Sequence, residues 1–494
     1  MGGPARTFQV VSAAVASAAV VSAAGAEAAT KTAPCSALSP SRIRLAATVA
    51  GAVFLAAIGP DHGCADTPVA WVELVGPGRQ ASIRVLVDKD ANCPTLTADG
   101  RPLTMHVRAE PGPLLHEGKL PPAADFPVKV CEVVAPEGKR VQWGDKPLPL
   151  PAADICRIVV FGDTGCRIKK NKKPQNCDKP GKWPYAKVAE QAALAHPDLV
   201  IHVGGYLYRE ECDVAACAGE AVGYGWKGWD ADFFTPSAKL FATAPWIMVR
   251  GNHENCVRAA DGWFRFLAPT QPQLACADMG PFFIVDLGGQ SFVVMDSSAV
   301  AGEEDSSSIP AAASAENDDD DDESGSASAD GLVEKIRTGY AAIAQSIPPH
   351  AWLLTHAPFY GVRLDKKTQK NKIDNTIEMD AIGRALSPNI QMIVSGHIHI
   401  FEALSFARTD SQSDPQWPPQ LVVGTGGDKL TKEPHEPDKV FDRQVDHALI
   451  RRNFAYMILD RDGANWKGTL FDEGGMPLAH CDLSNRDLNC RQEP

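Results

Sequence analysis

The chain has 494 residues, 44% of them apolar, and 48 Lys+Arg against 61 Asp+Glu for a formal charge of −13. That length exceeds one ordinary domain, and the apolar fraction is ample for a buried core. Eleven acidic residues and no Lys or Arg fall within 302–330; subtracting those eleven leaves −2 for the rest, which gives no electrostatic footprint for nucleic acid.

Residues 1–65 read as leader segments. The first 30 are rich in Ala, Val and Ser with one early charge, Arg6. A second signal follows: Arg42 and Arg44, the apolar run Leu45–Ile58, then Gly63-Cys64-Ala65 before Asp66 as a small-residue cleavage site. The run is too short for a stable membrane span, so the expectation is a secreted or periplasmic protein. From 66 to 151 short apolar runs alternate with Gly, Pro, Asp and Asn turn signals, at 69–75, 81–87, 103–109 and 126–134. No helical period intervenes, and the pattern predicts a small β-sandwich-like domain.

At 152 the pattern changes to strands alternating with helices, the latter at 184–196 and 232–243, which indicates α/β layering through 475. A hairpin is expected around Gly288-Gly289. The acidic tract 302–330 has almost no large apolar residues and repels itself, so it reads as a disordered insert. A helix is predicted at 331–346, the glycines of 421–427 read as a tight turn at the sheet edge, a hairpin spans 453–471, and 476–494 forms a C-terminal tail.

Thirteen cysteines are many for a reducing compartment. Proximity couples Cys93 with Cys131, Cys166 with Cys177, Cys212 with Cys217, Cys256 with Cys276 and Cys481 with Cys490. A zinc cluster is the competing reading, but no C-x-x-C spacing occurs. Cys156 is then the odd one out, expected as a buried, inert thiol.

Five apolar runs of the α/β region end on polar side chains. They are 157–165 (RIVVFGDTG), 199–209 (LVIHVGGYLYR), 246–254 (WIMVRGNHE), 352–356 (WLLTH) and 391–399 (QMIVSGHIH). Open α/β sheets bind ligands just past strand ends. The side chains delivered there are Asp163, Tyr208, Asn252, His356, His397 and His399, oxygen and nitrogen donors without a thiolate, suited to hard or borderline metals. A basic loop, 167–182, follows the first block; it is a solvated loop unless it overhangs the site, where its lysines would attract anionic phosphate.

In order and spacing the five blocks resemble the calcineurin-like metallophosphoesterase superfamily, and the tyrosine of the second block brings the likeness closest to purple acid phosphatases. The resemblance implies an α/β fold, a metallophosphoesterase-type double β-sheet sandwich flanked by helices and here preceded by the small all-β domain. It implies hydrolysis of phosphate monoesters at two metal ions: iron held by Asp163, Tyr208 and His399, and a divalent Fe, Zn or Mn held by Asn252, His356 and His397. His253 would contact the phosphate and protonate the leaving group, and Glu254 would orient His253 or a ligand. One block departs from the pattern. Gly205 stands where the family has an aspartate bridging both metals, and bridging anions are what offset the repulsion between two cations. Two alternatives therefore stay open: a non-catalytic protein that binds metal or phosphate, and a phosphodiesterase.

Overall fold

The computed structural model describes residues 69–117, 122–170, 172–212, 217, 219–300, 323–365, 367–408 and 416–493. The expected leader segments and most of the acidic insert lie outside the described residues.

Two large sheets dominate. The first has eleven strands, in spatial order Asp487–Gln492, Pro477–Ser484, Asn465–Asp472, Ala455–Asp462, Arg157–Phe161, Leu199–His202, Trp246–Met248, Ala70–Leu74, Ala81–Asp88, Val128–Val134 and His106–Ala109. The second has eight: Phe283–Leu287, Gln290–Val294, Ala351–Leu354, Ile390–Ser395, Gln420–Val423, Phe401–Phe406, Arg443–Arg451 and Lys439–Val440.

Because successive strand side chains point to opposite faces, each central strand contributes to two cores. Ile158 and Val160 pack in one cluster with Trp352, Leu354, Met392 and Val394, the layer between the sheets. Val159 and Phe161 face the other way, against Tyr185, Val188 and Ala192 of the helix Tyr185–Leu194. On the second sheet Leu353 and Ile393 join Ile336 and Tyr340 of the helix Glu323–Ile343. The result is the predicted sandwich of two sheets with helices outside.

The N-terminal region is all-β, and the structure adds where its strands go. Ala70–Leu74 pairs in parallel with Trp246–Met248 and in antiparallel register with Ala81–Asp88, so these strands continue the first sheet. Three further strands, Thr95–Ala98, Val141–Trp143 and Lys146–Pro147, join Arg101–Thr104 in a separate four-stranded sheet. The change of pattern near 151 is thus a change in local periodicity and leaves the sheet unbroken. A buried ionic cluster fastens this edge. Arg84 donates to Glu73, Glu132 and the carbonyls of Phe266 and Ala268, and Arg108 donates to Glu132 and the carbonyls of Phe264, Arg265, Ala268 and Thr270. Guanidinium groups thereby satisfy the carbonyls left open where the 260–267 helical segment ends.

The tail is also part of the sheet: Pro477–Ser484 and Asp487–Gln492 form its edge hairpin, with Cys481 and Cys490 directly opposed and bonded. The other four couples read by proximity are present. Cys156 corrects the expectation of a free thiol: it is half-buried and disulfide-bonded. Among the described residues no helix is long and apolar enough to cross a membrane.

Candidate functional site

The strands preceding all five blocks run parallel to a neighbour within their own sheet, so their C-terminal ends gather at one edge of the sandwich. Asp163 sits two residues past Phe161 with φ of 55°, and His397 two past Ser395 with φ of 68°. Side-chain residues rarely adopt this left-handed region, and such strain concentrates at functional positions.

Three donor atoms from three strand ends converge. The Tyr208 hydroxyl donates to Asp163 Oδ1 at 2.7 Å, His399 Nε2 lies 3.2 Å from the Tyr208 oxygen, and the same Nε2 is 3.3 Å from Asp163 Oδ1. Ligands bound at about 2.0–2.2 Å to one metal ion sit roughly 3 Å from each other, so the spacing suits a shared cation. In the second group His356 Nδ1 lies 2.7 Å from the Val203 carbonyl, which commits that nitrogen as the donor. Its Nε2 lone pair then faces Asn252 Oδ1 at 2.9 Å. Two acceptors that close call for a proton or a cation between them. The backbone N–H of His397 donates to Asp163 Oδ2 at 2.9 Å, and the rings of His356 and His397 are 5.2 Å apart, which ties the two groups together. Among the described residues no three His, Cys, Asp or Glu side chains form a metal-holding group by themselves; Tyr208 and Asn252 complete the two donor sets, and the chemistry of these sets fits metal ions.

The electrostatics follow from burial. Burial alone raises Asp163, but the hydrogen bond from His399, the charges of His356 and His399 and the Tyr208 hydroxyl together hold it well below the usual carboxylate range. Burial lowers His399, yet the carboxylates of Asp428 and Asp163 outweigh it and push the imidazole up to about 9. A proton and a metal ion compete for the same Nε2 lone pair. Tyr208 is pushed far up by burial and by the charges of Asp163 and Asp428, so its phenol keeps its proton unless a cation sits beside it.

His253 stacks on Tyr208 with ring centroids 3.8 Å apart, and its Nδ1 lies 2.7 Å from Glu210 Oε1. Glu210 thus sits against His253, and Glu211 is exposed and pairs with Lys170. Glu254 acts on the backbone that carries the ligands. Its carboxylate accepts the backbone N–H groups of Gly205, Tyr206, Leu207 and Gly251, fixing the loop that carries the second block to the loop that carries the third.

Gly205 has φ of 78°, and a Cβ added there would lie 2.7 Å from Asp163 Oδ1 and 2.8 Å from the Tyr208 hydroxyl. The position reserved for a carboxylate in the resembled pattern therefore does point into the first donor set.

Several residues of the site were missed. Asp428 is fully buried; its Oδ2 lies 2.8 Å from His399 Nδ1 and accepts from Arg167 Nε at 3.1 Å, while its backbone N–H donates to the Asp163 carbonyl at 2.8 Å. Asp374 lies 3.4 Å from His397 Nε2 and pairs with Arg363. Ser297 Oγ accepts the backbone N–H groups of His356 and Ala357. The glycines of 421–427 are a correction: Gln420–Val423 is an interior strand, and Gly424 lets the chain pass where a Cβ would stand 2.7 Å from Asp163 Oδ2. The signal was present in the run of small residues ending on Asp428. Reading it needed the third dimension.

Two buried carboxyls near this site give a pH prediction. Burial, with the charge of Asp374 in addition, pushes Glu378 up to about 8. Burial likewise pushes Glu402 to about 8, against the N–H of Val362 and the charge of Arg363. A carboxyl whose folded value is raised from 4.5 contributes stability that is fully present below 4.5 and is lost as pH rises through 8. Glu402→Gln should therefore flatten the decline in unfolding free energy between about pH 5 and 8, measured by urea titration at several pH values; a slope identical to the parent's counts against it.

The calcineurin-like phosphoesterase model matches residues 156–401. No curated protein matches the chain by sequence. Solved structures that resemble it include the purple acid phosphatase PPD1 from yellow lupin (Lupinus luteus) seeds, at 13% identity over 86% of this chain and 74% of that one, with a TM-score of 0.48. PhoD follows at 11% identity over 86% and 92%, with a TM-score of 0.46. The phosphoesterase YfcE from E. coli is 12% identical over 66% and 100%, with a TM-score of 0.26. The segment matched by the family model contains all five strand ends and every donor named above, and residues 156–401 form a calcineurin-like phosphoesterase domain.

Proposed function

We propose that the chain is an exported, metal-dependent phosphomonoesterase, related in its chemistry to acid phosphatases. The observation that carries this reading is the convergence of Asp163 Oδ1, the Tyr208 oxygen and His399 Nε2 within 2.7–3.3 Å of one another. Asp163, Tyr208 and His399 would hold iron; Asn252, His356 and His397 would hold a second, divalent ion. When bound, such a pair supplies an activated hydroxide and positive charge on the phosphate oxygens.

The chain's own residues do the rest. Asp428 accepts from His399 Nδ1, and Val203 from His356 Nδ1, which turns both Nε2 lone pairs inward. Glu210 accepts from His253 Nδ1, and its carboxylate favours the doubly protonated ring, whose Nε2–H would pass to the departing alkoxide. Glu254 keeps the second and third blocks in register through its four backbone contacts. Export is supported by the five disulfides among the described residues.

One observation favours a second reading, a binding protein without turnover: Gly205 supplies no carboxylate between the donor sets. Metal analysis of the purified protein, together with hydrolysis of an aryl phosphate from acid to neutral pH, separates the two. The expected result is about two metal ions per chain and turnover that is lost on chelation and regained with metal. Bound metal without turnover selects the second reading, and neither metal nor turnover overturns both.

A further inference from the structure

Residues 167–182 contain seven Lys or Arg and one Asp, a local charge of +6 in a chain whose net charge is −13. Like charges this dense repel one another, so a solvated loop would spread them away from any one place. Here the loop is fastened. The Cys166–Cys177 disulfide closes it. Ile168 exchanges backbone hydrogen bonds with the Tyr208–Glu210 segment, at 2.9 Å in both directions. Gln175 donates to the Gly427 carbonyl at 2.9 Å and accepts from the Arg167 N–H at 3.0 Å, and Trp183 donates to the Thr164 carbonyl at 2.8 Å. The loop is thus pinned to three of the segments that build the candidate site.

Arg167 is its innermost charge, bonded to Asp428 and 2.9 Å from His399 Nδ1. Lys169 is half-buried, and Lys170, Lys172, Lys173, Lys179 and Lys182 are exposed. Lys170 pairs with Glu211 at 3.4 Å, a contact open to solvent on both sides that neutralises little. Among the described residues Lys172, Lys173, Lys179 and Lys182 enter no ion pair. Positive charge held beside an anion-binding site raises the potential where a second anionic group would lie.

We propose that the Cys166–Cys177 loop and its lysines form a polyanion-selecting rim, which directs the site toward small phosphate esters carrying at least one further phosphate group beside the one at the site. The proposal rests on reading the 163–399 cluster as a phosphate-ester site, and it concerns the loop's charge alone.

The test uses the full chain and the triple variant Lys170→Gln, Lys172→Gln, Lys173→Gln, with the three Lys→Arg replacements as the charge-retaining control. Binding of tripolyphosphate and of orthophosphate is measured by calorimetry at low and moderate salt, beside hydrolysis of an aryl phosphate. The parent should bind tripolyphosphate about tenfold more tightly than orthophosphate, with the ratio shrinking as salt rises. The Gln variant should lose about fivefold or more of that preference and the Arg variant should keep it. Equal preference in parent and Gln variant overturns the proposal. So does tighter, lysine-dependent binding of a mixed-sequence single-stranded oligonucleotide than of tripolyphosphate. If loop-dependent binding is found with no hydrolysis of any ester, the rim stands and the catalytic reading falls; hydrolysis without loop-dependent preference gives the reverse.

Discussion

Asp163→Asn should reduce aryl-phosphate turnover by about a thousandfold or more and take the metal content below one ion per chain. The reason is local and steric as well as electrostatic. Asp163 is fully buried with φ of 55°; Oδ1 accepts the Tyr208 hydroxyl and Oδ2 accepts the His397 N–H. Both oxygens are therefore acceptors with fixed partners. An amide in the same shape places its NH₂ against one of those donors whichever way it is turned, and a buried unmatched pair costs about 1–3 kcal/mol. The variant also removes the negative charge that draws a cation into the first donor set. Metal content is to be normalised to folded protein, since part of the loss will be stability. Retention of both metal and turnover would remove Asp163 from the site.

What the chain's order of residues reveals follows from the physics of each feature. Strand ends were legible because an apolar run closed by a polar side chain, in most of them after Gly, is a local pattern, and Asp163, Asn252, His356, His397 and His399 all belong to one. The layered sandwich was expected from the family likeness, and alternation such as Ile158 and Val160 inward with Val159 and Phe161 outward bears it out. Sheet membership was not legible. Nothing near Ala70–Leu74 announces that its partner is Trp246–Met248, because parallel pairing is decided by hydrophobic faces far apart in the chain. Partners of the donors were hidden for the same reason. Asp428 lies 29 residues beyond His399 in sequence and 2.8 Å from it in space, and Asp374 reaches His397 from a hairpin that carries no periodic signal. Glu210 carries no signal of its partner either, since only the fold shows that it meets His253. Cys156 was expected as a free thiol and is disulfide-bonded.

Gly205→Asp is the substitution with the most to say about the second reading, and two opposed effects determine its outcome. A carboxylate at 205 would begin among the atoms of the first donor set, with its Cβ 2.7 Å from Asp163 Oδ1 and 2.8 Å from the Tyr208 hydroxyl. Such contacts force the neighbours to shift, and the φ of 78° disfavours any side chain, so the fold should lose about 2–4 kcal/mol. Against this, the new oxygens face a region rich in positive charge when metal is bound, and cation binding to the folded state returns stability in proportion to the affinity gained. The expected result is a lower unfolding midpoint in chelator, a midpoint largely restored by metal, more metal held per chain and faster aryl-phosphate hydrolysis than the parent. The metal-dependent rise in midpoint is the decisive readout because it does not depend on turnover. A variant that folds, shows no larger metal-dependent rise than the parent and gains no activity would mean that the site has adapted to glycine at 205, and would leave the binding-protein reading as the stronger of the two.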